Sequence, residues 1–424
     1  MLHCETVGID GYFKKTNNVT NMKKAIILSI DGLGTNLVGA YGNSLCPTPN
    51  MNTLASKSVC LDQFWADASD PVSVLASLWT GTHGLNRDYD YFSDWTQWIR
   101  QGVLVTDDKR LVESAAANVF ERVLLVEHQS LEEGTEFEEL LEAALGAWVA
   151  ESQMFSLLWI HSRGLRGAWD APYNYRKIMC DEEDPEPPQD VDPISFAVNA
   201  STDPDEIFGV SCAVVGQVVV MDQAIGELLG TIRELNQEGD TLVALIGVSG
   251  YPLGEHGMVG GESGALYAES LHCPCLVRFG EEMPVGIRVP TIMQPHEIGE
   301  WIVSWLNLET VDQDERGSLD ALYDESIDTP NRIGAAIAVA ENECFVASPA
   351  WSCRITTELD GAQPKVELYA KPDDRWEQNE ISIRATAVVE KMQALRDKLL
   401  FAHAAPNNSE PINWLDDDLI KPSR

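Results

Sequence analysis

"KKAIILSIDGLG", residues 23–34, runs from two lysines through an apolar stretch to a single aspartate, Asp31. The stretch has strand length and no helical period, as expected of a strand buried on both faces. Similar runs recur at 102–106, 122–127, 155–161, 241–248 and 274–279. Between them, 111–120, 136–150 and 214–235 carry helical periodicity. Strand-length runs alternating with helices predict an α/β fold with a mostly parallel sheet covered on both faces.

Two composition breaks divide the chain. Residues 180–207, "CDEEDPEPPQDVDPISFAVNASTDPDEI", are crowded with Asp, Glu and Pro and read as an acidic loop inserted in the large domain, 22–308. A second acidic stretch makes 309–330 a linker. Beyond it, 331–402 alternates like short antiparallel strands and closes on one amphipathic helix, "ATAVVEKMQALRDKLLFA". Residues 1–21 form an extension without apolar period, leaving Met1 or Met22 as the start, and 403–424 read as a loosely attached tail.

The 424 residues include 67 Asp+Glu against 29 Lys+Arg, a formal charge of −38. Such a field repels polyanions, so neither nucleic acid nor an anionic membrane surface is an expected partner. No apolar run reads as the roughly 18 residues needed to span a bilayer, and the N-terminus lacks a basic-then-apolar leader, so a cytoplasmic location is expected. The nine cysteines sit mostly in apolar runs and read as reduced, buried thiols. His272, Cys273 and Cys275 have strand-like flanks and no second pair, which argues against a metal knuckle.

Several segments together resemble the sulfatase family of the alkaline-phosphatase-like superfamily. They are "IILSIDGLGTNLVGAYG" (26–42), "TPNMNTLA" (48–55), "LASLWTGTHG" (75–84), "LWIHSRGLRGAWDAPYNYR" (158–176), "TLVALIGVSGYPLGEHGMVG" (241–260) and "ELYAKPDDRWEQNE" (367–380). The resemblance spans almost all of Lys23 to Leu400. It implies an alkaline-phosphatase/sulfatase-like sandwich: a large mixed, mostly parallel sheet flanked by helices, plus a small C-terminal antiparallel sheet with one helix.

The family pattern places paired aspartates after the first strand, an Asp with His or Asn after a later one, and a Cys, Ser or Thr nucleophile, all around a divalent cation. A hard cation needs several carboxylate oxygens. On this chain the resemblance maps the first aspartate to Asp31, the second to Gly32, and the later pair to Val248 and Ser249. The nucleophile falls on Pro71, its arginine on Leu75, the lysine after "GEHG" on Gly261, and the Pro-His turn on Leu165 and Arg166.

Asp31 is therefore either a remnant metal ligand or a strand-end anchor accepting backbone N–H groups. His256 lies in a glycine-flanked loop, where it either orients the loop or binds ligand. His161 ends an apolar strand and reads as a core or substrate-binding histidine. Arg163 and Arg166 are anion-binding candidates by guanidinium geometry, and His256, Ser73 and Asp70 are the remaining catalytic candidates.

Three functions follow. The leading one is a catalytically inactive sulfatase-like protein that keeps a cleft for a small anionic ligand or a protein partner, with no cofactor. The others are a sulfuric or phosphoric ester hydrolase with a non-standard site, requiring Ca²⁺ or Mg²⁺, and a structural or regulatory subunit.

Overall fold

The computed structural model describes residues 23–86, 96–128, 134–151, 154–189, 192–235, 237–261, 265–280, 286–306, 334–357, 364–404 and 415–421. The extension 1–21, both start positions and the linker 309–330 lie outside them. Among the described residues up to 306 there are ten strands: β1 Lys24–Ile30, β2 Val59–Phe64, β3 Val103–Thr106, β4 Arg122–Leu125, β5 Leu157–Ser162, β6 Phe196–Ala197, β7 Thr241–Gly247, β8 Met258–Val259, β9 Cys275–Phe279 and β10 Ile287–Met293. Eight form one sheet in the order β10-β2-β9-β7-β1-β5-β3-β4, in which β9 alone runs against the rest.

β1 sits at the centre, and its residues alternate between two apolar layers. Ala25 and Ile27 face a layer with Trp79 and Trp159, while Ile26, Leu28 and Ile30 face one with Trp148 and the helix Pro204–Glu234. Burial on both faces explains the unbroken apolar run, each fully buried aliphatic side chain contributing about 1.5–3 kcal/mol. The small sheet, β11 Ala336–Val339, β12 Glu343–Ala347, β13 Trp351–Thr356 and β14 Lys365–Ala370, packs against the helix Thr386–Ala404 through Met392, Leu395 and Leu399.

Several elements depart from the sequence expectation. β2 and β10 were not expected: β2 carries Asp62 and Gln63, and β10 carries Pro290, which an edge strand tolerates and where the pairing register shifts. The helix expected over 111–120 is two pieces, Lys109–Glu113 and Ala115–Val119, separated at the extended Ser114. The helix expected from 214 begins at Pro204, because Asp203 caps it by accepting the Asp205 N–H.

That helix also corrects the reading that no apolar run is long enough to span a bilayer. By length and composition it could cross a bilayer, but 78% of its most apolar window is buried inside the protein, as in a core helix. The acidic insertion is not all loop either: it ends in this helix, and its β6 pairs with β8. Nor is the tail loose throughout. The helix Asp417–Ile420 buries Leu419, Asp418 O accepts the Trp351 indole N–H, and Lys391 pairs with Asp416 at 2.9 Å.

Candidate functional site

In open α/β sheets the residues just beyond the carboxyl ends of parallel strands converge on one crevice. Ile30 of β1 is level with Ser162 of β5 and Gly247 of β7, so Asp31, Arg163 and Val248 emerge side by side. Asp31 is 1% exposed. Its backbone N–H donates to Ser162 O at 3.0 Å and its carbonyl accepts the Leu165 N–H at 3.1 Å. Both strand-end loops are thus laced through it.

The Asp31 carboxylate faces two groups of the protein itself. Ser249 Oγ donates to Oδ1 while accepting the Gly32 N–H at 3.0 Å. Arg166 Nε stands 3.9 Å from Oδ1, its Nη2 donates to Gly250 O at 3.0 Å, and its guanidinium lies 5.3 Å from the Tyr251 ring centre. Burial pushes the Asp31 carboxyl above the ordinary range, and Arg166, then Ser249, pull it back. One carboxylate beside a permanent guanidinium is a poor donor set for Ca²⁺ or Mg²⁺. Among the described residues no group of three or more His, Cys, Asp or Glu is arranged to hold a metal ion.

Gly32 has a specific reason to be glycine. Its φ is +79°, and a Cβ there would lie 2.8 Å from Leu165 Cβ. An aspartate cannot occupy the position without moving the β5 loop.

The other candidates are dispersed. Pro71 opens the helix Pro71–Thr80, whose N-cap is Asp70; Asp70 Oδ2 accepts both the N–H and the hydroxyl of Ser73, at 3.0 and 2.9 Å. This is a helix cap, with no hydrogen bond or ion pair from either residue to Asp31 or His256. His161 is fully buried within β5, with Nδ1 3.1 Å from Ser29 Oγ, and has no hydrogen bond or ion pair to Asp31. Burial lowers it to about 4, so the ring is neutral at pH 7. Arg163 Nη2 donates to Arg166 O at 2.8 Å, so it props the loop that carries Arg166.

His256, at φ +48°, is drawn away from Asp31 into the contact with the small sheet. Nδ1 meets Glu269 Oε1 at 2.8 Å, Nε2 meets Glu377 O at 2.9 Å, and the ring stacks on Tyr267. Burial opposes its charge, yet the Glu269 hydrogen bond and charge, with Glu377, raise its pKa. Glu377 also accepts from Ser352 Oγ at 2.6 Å and the Ala268 N–H at 3.0 Å.

Sequence reasoning missed Ser249 as the hydroxyl partner of Asp31. It also missed Asp107, which follows β3 and accepts from Ser162 Oγ and the Arg163 N–H at 3.1 and 2.8 Å. Burial raises Asp107 to about 6. The position of Asp107 just past a parallel strand was the signal that could have found it.

A small pocket lies between the two sheets' loops, lined by Thr35, Asn36, Glu255, Glu269, Arg375 and Trp376 among others. Arg375 lies 4.9 Å from the Trp376 ring centre and makes no ion pair among the described residues. Burial, then the nearby Arg288, lowers its pKa.

No family model matches this sequence, and no curated protein matches it. Solved structures do. One, in complex with its substrate D-glucosamine-2-N,6-O-disulfate, superimposes with a TM-score of 0.73 at 13% identity, covering 93% of this chain and 100% of that one. The phosphonate monoester hydrolase of Agrobacterium radiobacter gives 0.70 at 14% identity, with 90% and 96% covered. A 2-O GAG sulfatase gives 0.64 at 13% identity, with 90% and 93% covered. The fold is that of sulfatases and phosphonate monoester hydrolases.

Proposed function

We propose that this chain is a sulfatase-fold protein without ester hydrolase activity, which uses the fold to bind a small anionic ligand. The reading rests on Asp31, whose carboxylate is already matched by Arg166 and Ser249. In a metal-dependent hydrolase the cation both neutralises such carboxylates and activates the nucleophile. Here a guanidinium supplies the neutralising charge but has no open coordination position to offer. The expected nucleophile position is Pro71 at a helix start, and Ser73 beside it caps that helix.

The ligand site in this reading is the pocket at Arg375, not the Arg163–Arg166 pair. Those two arginines are engaged within the strand-end loops, whereas Arg375 is a half-buried cation that makes no ion pair among the described residues, with Asp62 acting on it only at longer range. Guanidinium groups pair with sulfate, phosphate or carboxylate oxygens, and the exposed Trp376 ring offers a flat face beside Arg375.

The test has two arms. Aryl sulfate, phosphate and phosphonate esters are assayed with Ca²⁺, Mg²⁺ or Mn²⁺, alongside metal titration of the thermal unfolding. No turnover and no metal-dependent shift are expected, and turnover lost in Asp31→Asn would overturn the inactive reading. Inorganic sulfate and phosphate are then titrated against tryptophan fluorescence. Saturable quenching absent from Arg375→Gln supports the anion site, and its persistence in that variant or its absence in wild type refutes it.

A further inference from the structure

Cys180 and Cys212 come from different elements, yet their sulfurs lie 3.5 Å apart. Cys180 begins the acidic insertion, half-buried, after the short helix Tyr173–Arg176. Its amide donates to Lys177 O at 3.1 Å. Cys212 is buried in the third turn of the helix Pro204–Glu234. Both are free thiols, and the sulfurs must close to about 2.05 Å to bond.

We propose that Cys180 and Cys212 form a thiol–disulfide exchange site that accepts small neutral or cationic disulfides and closes to a Cys180–Cys212 bond. Cys180, the more accessible thiol, loses its proton to solvent and attacks one sulfur of the reagent. The reagent's S–S bond breaks and one thiolate leaves. The Cys212 thiolate then attacks the Cys180 sulfur of the mixed disulfide and expels the second thiolate. The protein dithiol is oxidised, the reagent disulfide is reduced to two thiols, and each departing thiolate takes up a proton.

Reagent charge follows from the next four residues, Asp181, Glu182, Glu183 and Asp184, which are all exposed. Their field attracts cations to Cys180 and repels anions over about 10 Å at 0.1 M salt. Burial pushes the Cys212 thiol up to about 12, so the closing step is the slow one and speeds up with pH.

Closure has a structural consequence. The insertion wraps the loop after β7: Val198 N–H donates to Gly257 O at 2.7 Å, Tyr251 Oη donates to Ile194 O, and β6 pairs with β8. A covalent link at its start ties the insertion to a core helix and holds it over the loop that carries Ser249 and His256. This inference does not depend on the proposed ligand site.

The full chain is treated with cystamine, a cationic disulfide, and separately with oxidised glutathione, then thiol-blocked and mapped by peptide mass. The expected result is a Cys180–Cys212 cross-linked peptide, formed at least tenfold faster with cystamine at low salt. Cys212→Ser should stop at the cystamine adduct on Cys180. Cys180→Ser, a change at the less buried position, should give neither product. Limited proteolysis between 181 and 195 should slow in the oxidised wild type but not in treated Cys180→Ser. A stable Cys180 adduct in wild type, a cross-link to another cysteine, no reaction at all, equal rates for the two reagents, or unchanged proteolysis would each overturn the corresponding claim.

Discussion

Arg166 reaches Asp31 from the neighbouring strand-end loop, Nε 3.9 Å from Oδ1, with both side chains almost wholly removed from solvent. Removing one charge strands the other. Asp31→Ala should therefore destabilise the protein by about 3–5 kcal/mol in urea unfolding. The double variant Asp31→Ala/Arg166→Met should recover much of that loss. If the single variant costs less than about 1 kcal/mol, Asp31 does not depend on this pairing.

A second carboxylate placed beside Asp31 should not create a metal site. Gly32→Asp places a side chain at φ +79° with its Cβ 2.8 Å from that of Leu165. A loss of about 2–4 kcal/mol is expected from the left-handed backbone and the clash together. Thermal unfolding in Ca²⁺ should show no compensating rise, and a metal-dependent rise would mean that the loop can open into a coordination site.

His256 links protonation to the contact between the two sheets. Its folded pKa is raised above the unfolded value near 6.5, so its contribution is fully present below that pH and is lost as pH rises through the folded value. The stability advantage of wild type over His256→Gln in urea should be about 2 kcal/mol at pH 6 and shrink by pH 9, so the variant's pH profile differs from that of wild type. An unchanged pH profile in the variant would show that the imidazole is neutral.

The opposite sign holds where His83, His296 and His403 meet. His83 stacks on His403 with ring centres 3.8 Å apart, and His296 lies 5.2 Å from His83. Burial first, then a neighbouring histidine, lowers His83 and His296 to about 3 and His403 to about 2. The unfolded chain takes up these protons below about pH 6.5 while the folded one does not, so stability falls as pH drops from 6.5 toward 3. His403→Phe should make this acid limb shallower by about 1.4 kcal/mol per pH unit, one proton's worth. An equally steep limb would remove His403 from the account.

The central strands were legible because burial on both faces leaves an unbroken apolar run, as in 25–30 and 241–248. β2 and β10 were not, because their Asp, Gln and Pro residues break that run, and only pairing with their neighbours makes them strands. The start of the helix at Pro204 was hidden for a related reason. Its first turn is solvent-facing and acidic, so it has the composition of the loop before it.

At the candidate site the sequence determined identity alone: Asp31 at a strand end, Gly32 after it, Pro71 at a helix start and Arg166 in the loop after a later strand. What each does was decided by tertiary structure. Ser249 is 218 residues from Asp31 yet is its hydrogen-bond partner, and His256, which the spacing offered as a catalytic candidate, is held by Glu269 and Glu377 instead. Residue type sets which charges and donors are present, but a hydrogen bond or an ion pair falls off over ångströms. Only the packed chain brings such distant segments close enough to choose among them.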